Sequence, residues 1–456
     1  MVGSSVESLF ADNGAVTLRF GTDGMRGDAR TELMYAPVAV LAQAAAEVLG
    51  GDGFAVGADT RESGPELVSA IHAGVKRSGA MSVDLGVLPT PAVALWCAQR
   101  GVAGAMVSAS HNPWHDNGVK FFAPGGSKLN DELQEQIQSR FEELLSEAGA
   151  EPAPAMAEDH HESAASAHVA AVVASVEPDC LAGLRIVIDC ANGAAFDVAP
   201  KALRSLGADV VVIAAAPDGR NINDSCGSTH PELLQARVLA EGAHAGLALD
   251  GDADRLLAVS HTGALVDGDE IIAICALDAH ARGQLTGDAV VVTVMTNLGF
   301  RRSMAAAGIE VVDTKVGDRH VLEALDARGL GLGGEQSGHV IFRDLAATGD
   351  GLLTGVQLLA AVQRAKSPLA ELAAAAMTRL PQVLRNVRVA IRPDDAEGRI
   401  AALVAAAEMR LGDRGRVLIR PSGTEPLIRV MVEAETDAEA AMEADALTSA
   451  VTQLFG

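Results

Sequence analysis

The amino-acid sequence predicts an α/β protein of several domains that ends in a smaller unit of its own, and three observations carry this. Short apolar runs alternate with alanine-rich helical patterns, as in mostly parallel sheets covered by helices. The chain has 456 residues, 49% of them apolar, about three times a common domain length, so three or four domains with their own cores are expected. After Pro381 the pattern changes to a strand, a helix, two strands around a loop and a last helix.

A loose N-terminal extension leads into Gly21-Thr22-Asp23-Gly24-Met25-Arg26-Gly27, where the glycines leave backbone free to approach a ligand and Arg26 stands among them. Helical patterns over Ala36–Gly50, Pro65–Ser78 and Pro91–Arg100 alternate with apolar runs at Phe54–Val56, Met81–Leu85 and Ala103–Val107. The last run reads as a buried strand, and Ser108-Ala109-Ser110-His111-Asn112-Pro113 follows it. Ser110 therefore stands at the C-terminal edge of a strand, where open α/β sheets put their ligands, and is the candidate for the reacting atom. Pro113 stops the chain from continuing as strand or helix. The hexapeptide also has the composition of an ordinary turn. Asn117–Phe122 predicts a turn and a strand that bring Lys120 back toward the serine, as a general acid or base or as a phosphate clamp.

A helix is predicted over Asp131–Glu147. Gly149–Ser163, with Pro152, Pro154, Asp159, His160 and His161 and no apolar periodicity, reads as an interdomain linker with solvated histidines. A second α/β block runs from the strand Arg185–Asp189 through the helix Val198–Leu206 and the strand Asp209–Ile213 to the apolar Ala245–Leu249. At its end stands Asp250-Gly251-Asp252-Ala253-Asp254-Arg255. Carboxylates at every second position would splay around a helix, but a loop of small residues can turn all three toward one hard cation, which suits magnesium. A calcium EF-hand loop needs glycine and later glutamate where this chain has Arg255 and His261, so that reading fails.

The third block starts near Asp269 with a helix to Arg282, the strand Ala289–Val294, a helix, the strand Glu310–Asp313 and a turn at Val316–His320. Gly329–Gly334 matches a dinucleotide fingerprint in spelling only, since it follows a helix and opens into Glu335-Gln336-Ser337-Gly338-His339. Glu335, Ser337 and His339 are expected to face one side of an extended segment, suited to hydroxyl and amine recognition. In the last unit, a strand Val387–Ile391 and a helix to Leu411 precede Arg420-Pro421-Ser422-Gly423-Thr424-Glu425-Pro426, and Arg429 stands in the strand beyond. Amides near a glycine, two hydroxyls and two forked guanidiniums make a cradle for a phosphate.

The formal net charge of -25 disfavours nucleic acid and anionic membrane surfaces as partners. No apolar run reaches the roughly 18 residues of a membrane helix, and Glu7 and Asp12 occupy what would be the basic region of a signal peptide, so a cytoplasmic location is expected. Cys97, Cys180, Cys190, Cys226 and Cys275 are odd in number and widely spaced, which predicts buried, reduced thiols.

Together, Ser108–Pro113, Asp250–Arg255, Glu335–His339 and Arg420–Arg429 resemble, in order and separation, the motifs of the α-D-phosphohexomutase family over nearly the whole chain. Gly21–Gly27 and the Gln336 variant are most similar to its bacterial glucosamine-phosphate branch; members acting on glucose and mannose phosphates usually carry methionine there. The resemblance implies four domains around a central cleft: three α/β domains with mixed sheets (residues 1–165, 166–268 and 269–380) and a smaller C-terminal α+β domain (residues 381–456). It implies that Ser110 is a phosphoserine and that Asp250, Asp252 and Asp254 hold one Mg2+ together with it. Glu335 and Ser337 would bind sugar hydroxyls, Arg26 and His111 would contact substrate, and Arg420, Ser422, Gly423, Thr424 and Arg429 would bind its phosphate. Ala253, where many relatives have glycine, and His320, where tyrosine is frequent, depart from the pattern at positions with no chemical role.

The implied reaction interconverts glucosamine 6-phosphate and glucosamine 1-phosphate through a 1,6-bisphosphate of glucosamine or glucose, toward UDP-N-acetylglucosamine and peptidoglycan. Arg255 and Lys120 offset charge on the moving phosphoryl group, and Lys120 or His339 moves the hydroxyl proton. A small-molecule sugar phosphate is the expected partner, with a homodimer left open. The rivals are a mutase for mannose or glucose phosphates, an idle sugar-phosphate binding protein, which intact Ser110 and the aspartates count against, and a serine hydrolase, for which the Gly-x-Ser-x-Gly elbow is missing.

Overall fold

The apolar runs fold as strands of four sheets; the computed structural model describes residues 18–21, 24–51, 53–147, 153–389, 396–421 and 427–455. The first sheet contains β1 (Met25–Asp28), β2 (Gly53–Ala58), β3 (Met81–Val87), β4 (Ala103–Val107), β5 (Asp116–Phe122) and β6 (Glu158–Asp159), in the order β1-β5-β4-β2-β3-β6. Strands β4, β2 and β3 are parallel, whereas β5 returns antiparallel to β4 and carries β1 antiparallel on its edge. Every residue of β4 is buried, which is why a parallel strand with both faces covered reads as an unbroken apolar run.

The second sheet holds β7 (Arg185–Asp189), β8 (Asp209–Ile213), β9 (Ala245–Leu249), β10 (Leu256–Ser260) and β11 (Leu265–Val266), in the order β11-β10-β9-β7-β8. Its strands β8, β7 and β9 are parallel and β10 reverses. In the third, β12 (Ala289–Thr293) lies parallel to β13 (Glu310–Thr314) and β14 (Leu332–Gly334), and β15 (Val340–Phe342) turns back antiparallel on β14. These are the three mixed α/β sheets expected. The fourth sheet is antiparallel and smaller: β16 (Gln382–Arg388), β17 (Arg416–Pro421) and β18 (Leu427–Glu433) in the order β16-β18-β17, with a core shared by the helices Ala396–Leu411 and Asp437–Phe455.

Two compact units result, one reaching to Met295 and including Glu310–Ala373, the other made of Thr296–Ile309 and the chain from Ala374 on. Within the second, the buried Glu433 carboxylate accepts from Arg416 at 2.8 and 3.1 Å and from the Leu298 amide at 2.8 Å, so the helix Leu298–Ala306 is tied to the C-terminal sheet.

Residues 158–163 differ from the linker expected over Gly149–Ser163. β6 pairs with β3, the His160 amide donates to the Asp84 carbonyl at 2.8 Å, His160 lies 5.5 Å from the Trp96 ring, and the helix His161–Ala174 begins at once. That helix is alanine-rich on all sides and shows no apolar stripe, so periodicity alone could not find it. The five cysteines are free thiols, Cys180 partly exposed and the other four buried. Among the described residues no helix is long and apolar enough to cross a membrane.

The helices Tyr35–Leu49 and Gly64–Ser78 approach closely because Gly74 has no side chain: a Cβ there would overlap the Ala39 carbonyl oxygen and come within 2.8 Å of the Gln43 nitrogen. Gly74→Val is therefore expected to cost about 1–3 kcal/mol by overpacking. A lowered denaturant midpoint checks it.

Candidate active site

The site begins where two parallel strands end side by side. Ala58 of β2 pairs with Val107 of β4, so Asp59 and Ser108 leave the sheet together. Ser108 Oγ donates to Asp59 Oδ2 at 2.6 Å and accepts from the Ser110 amide at 2.9 Å. Asp59 also pairs with Arg61 at 2.9 Å, both side chains being fully buried; burial pushes the Asp59 carboxyl up, and Arg61 and Ser108 oppose that rise. Ser110 is itself buried and has φ +54, in the left-handed region that serine seldom occupies. Its Oγ donates to Asp250 Oδ2 at 2.6 Å and lies 3.3 Å from His111 Nδ1. Burial, followed by Arg255 and Arg26, pushes His111 down to about 4, so its imidazole is neutral.

Asp250, Asp252 and Asp254 follow β9 in a tight turn closed by the Ala253 amide on the Asp250 carbonyl at 3.1 Å. All three are buried, and their candidate ligand oxygens lie within 4.8 Å of one another. Asp252 Oδ2 accepts from Thr90 Oγ1 at 2.6 Å and from Lys120 Nζ at 2.8 Å, and Lys120 reaches Asp254 Oδ2 at 3.4 Å. Lys120 comes from β5, whose Gly118 stands opposite Arg26 of β1; the missing side chain at Gly118 leaves room for the Arg26 stem on the same face. Burial works against charge on Asp254, yet Lys120, His339 and Arg255 hold its carboxyl well below the usual range. Asp250 is pushed up to about 8 by burial and by Asp254 and Asp252. Arg255 is disfavoured by burial, but the same three carboxylates keep it cationic.

The loop fits a hard divalent cation: it offers oxygen donors only, and Asp252 Oδ1 and Asp254 Oδ1 are buried without a hydrogen-bond partner among the described residues.

From the third sheet comes His339, buried, with Nδ1 3.6 Å from Asp254 Oδ2 and Nε2 3.6 Å from Asp318 Oδ2. Burial lowers its basicity, but those two carboxylates raise it above the ordinary value overall. Asp318 is in turn paired with Lys128. Glu335 Oε1 accepts from the Gly317 amide at 2.9 Å. Glu335–Gly338 is a turn closed by the Gly338 amide on the Glu335 carbonyl, and not the extended segment expected. Glu335 and His339 line a cavity of about 480 Å³ together with Arg26, Asp254, Arg255 and Asp318, whereas Ser337 sits exposed at the turn. Gln336 Nε2 reaches back to Asp267 Oδ2 at 3.1 Å, fastening the turn to the capping box of the helix Gly268–Ala281.

In the C-terminal unit, Arg420 and Arg429 face each other across β17 and β18. Burial and then Arg429 lower the Arg420 pKa, as expected of like charges directly opposite each other. Ser422, Gly423 and Thr424 lie outside the described residues.

Sequence reasoning missed Asp59, Arg61, Thr90, Lys128 and Asp318, and also Asn223, whose Nδ2 donates to the Ser110 carbonyl at 2.9 Å. Asp59 and Arg61 follow an apolar run, the signal that singled out Ser110; Asn223 and Lys128 carry no signal of that kind.

Comparison with known proteins bears on this geometry. Four models of Phosphoglucomutase/phosphomannomutase match in succession: alpha/beta/alpha domain I at residues 17–148, domain II at 150–263, domain III at 267–380 and the C-terminal domain at 369–450. The phosphoglucosamine mutase of Thermobifida fusca is 50% identical over 96% of this chain and 98% of its own, and that of Frankia alni 51% identical over the same shares. A crystal structure of a phosphoglucomutase/phosphomannomutase family protein from Burkholderia thailandensis superposes with a TM-score of 0.80 at 27% identity, covering 95% of this chain and 97% of that one.

Mg2+ titrated into the protein in a calorimeter is expected to fill one site. Asp252→Asn, which keeps an oxygen but removes a charge, should weaken it at least tenfold; equal binding would make the acidic loop structural.

Proposed function

The chain belongs to the phosphoglucomutase/phosphomannomutase family of phosphohexomutases, and we propose that within it this protein interconverts glucosamine 6-phosphate and glucosamine 1-phosphate. The observation that carries the reading is the Ser110 hydroxyl, seated 2.6 Å from Asp250 of the acidic loop and supported by half-identical relatives named for that activity. The protein is an isomerase by net reaction and a phosphotransferase by step.

In the resting enzyme Ser110 carries a phosphoryl group. Its Oγ–phosphorus bond breaks as the free sugar hydroxyl bonds to phosphorus; Lys120 or His339 takes the hydroxyl proton, and the serine oxygen regains one. The product is a 1,6-bisphosphate, of glucosamine in turnover and of glucosamine or glucose when supplied as activator. Once it has turned round, the bond between the other sugar oxygen and its phosphorus breaks as Ser110 Oγ bonds to that phosphorus; Ser110 gives up its proton, the freed sugar oxygen takes one up, and the isomeric monophosphate leaves. Asp250, Asp252 and Asp254, with the Ser110 phosphate, would hold a Mg2+ ion, which when bound withdraws negative charge from the phosphoryl oxygens. Arg255 adds charge of the same sign at the cavity wall.

Glu335 is held by the Gly317 amide and faces the cavity, so its carboxylate is assigned to the sugar amine and hydroxyls, with Ser337, Arg26 and His111 as further contacts. Arg420 and Arg429, with Ser422, Gly423 and Thr424, are assigned to the phosphate that is not reacting; an anion between the two arginines would relieve their repulsion. The reaction feeds amino-sugar nucleotides for cell-wall synthesis and is placed in the cytoplasm with its sugar-phosphate substrates.

Peptide mass spectrometry of active protein is expected to find phosphate on Ser110, and Ser110→Ala to abolish turnover. Phosphate on Ser108, or full activity in the variant, would overturn the assignment. A carboxylate pairs with an ammonium more strongly than with a neutral hydroxyl. Glu335→Gln should accordingly lower kcat/KM about tenfold more for glucosamine phosphate than for glucose phosphate; equal losses would leave Glu335 a generic hydroxyl ligand.

A further inference from the structure

A serine with φ +54 does not stay there unaided, and beside the bonds of its amide to Ser108 and of its Oγ to Asp250, side-chain donors grip the carbonyl groups of its loop. The Ser110 carbonyl accepts from Asn223 Nδ2 at 2.9 Å and from Arg61 Nη2 at 3.0 Å. The Asn112 carbonyl accepts from the same two atoms, at 3.1 and 2.9 Å, and the Pro113 carbonyl accepts from Arg61 Nη1. Arg61 follows β2 of the first sheet, whereas Asn223 lies on a loop of the second-sheet domain, so the donors grip the loop from opposite sides of a domain boundary. Asn223 is pinned in turn: its amide donates to the Ala191 carbonyl at 2.9 Å, and the Ala191 amide to buried Asp189 at 2.8 Å. Gly251 completes the fit, for a Cβ there would come within 2.5 Å of the Ser110 carbonyl oxygen and 2.9 Å of Asn223 Nδ2.

We propose that Arg61 and Asn223 are positioning residues for phosphoryl transfer: by gripping the Ser110 and Asn112 carbonyls from two domains, they hold Ser110 in its left-handed conformation and aim its Oγ at the acidic loop. The inference rests on the reading of Ser110 as the group that carries the phosphate. Neither side chain is assigned to sugar or to phosphate, so removing one should slow transfer without loosening substrate binding.

Asn223→Gly is the sharper variant. Asn223 has φ +58, which glycine accepts freely, so the substitution deletes the side-chain amide without straining the backbone. In rapid-quench single turnover, discharge of the Ser110 phosphate to glucosamine 6-phosphate should slow about tenfold to a hundredfold, the scale of a reacting group displaced by about 1 Å. The steady-state kcat should fall by the same factor, with KM and melting temperature held. Arg61→Lys keeps a positive charge facing Asp59 but cannot span three carbonyls, and should slow discharge at least as much; it decides the matter if Asn223→Gly does not fold. Discharge as fast as in the parent, or a loss confined to KM or to the unfolded fraction, overturns the positioning roles alone. A parent protein whose Ser110 carries no phosphate that discharges to sugar overturns the functional reading and this inference with it.

Discussion

Three carboxylates buried in one short loop are the constraint on which the first unit depends. Two like charges within 4.8 Å of each other cost about 3 kcal/mol or more even at an effective dielectric near 20, and burial together with that repulsion pushes Asp250 up to about 8 beside Asp254 and Asp252. The loop supplies only Arg255 from its own sequence, so the remaining compensation is imported: Lys120 from the first sheet, with the Thr90 hydroxyl, and His339 from the third. The acidic loop thereby binds three sheets to one another electrostatically. The side chains proposed for sugar binding and for phosphoryl transfer are grouped around that loop. The surplus that remains, with two carboxylate oxygens lacking partners among the described residues, is what a divalent cation would satisfy.

The backbone around this loop is correspondingly forced. Of the ten described non-glycine residues with positive φ, six (Ser110, Ala191, Asn192, Asn223, Ser225 and Ala253) belong to the serine loop, the acidic loop and the segments that support them. Strain gathers at sites that the surroundings over-determine, and here the over-determination is visible as side-chain donors on backbone carbonyls. Ala253, at φ +56, explains why glycine suits that position in relatives: the turn asks for a left-handed residue, and its amide and carbonyl are both used, by Asp250 and by the Gly351 amide.

Much of this was legible in the sequence, and the gaps have physical causes. Ser110 and Asp250 were found because an apolar parallel strand ends in polar residues at its ligand-facing edge. The same rule, applied to the strand ending at Ala58, would have found Asp59 and Arg61, which lie between the apolar run Phe54–Val56 and the helical pattern that starts at Pro65. The helix from His161 was missed because an alanine-rich helix packed on several sides has no stripe. The Glu335–His339 segment kept Glu335 and His339 at the cavity but neither Ser337 nor its expected shape: alternation suggested an extended strand, whereas Gly338, with φ +91, makes a turn. Lys128 and Asp318 could not have been paired from sequence, since they stand 190 residues apart and meet only through the fold.

The grip on the serine loop also has an order in time. Arg61 precedes Ser110 by 49 residues, but Asn223 follows it by 113 and Asp250 by 140. At translation rates of roughly 5–20 residues per second, the loop leaves the ribosome about 6–28 s before its remaining partners exist. A nascent chain in that interval holds one half of the clamp and no acidic loop. The serine is born without its setting, and a chain arrested or cleaved before the second sheet has closed on it leaves Ser110 with neither Asn223 on its carbonyl nor Asp250 at its hydroxyl.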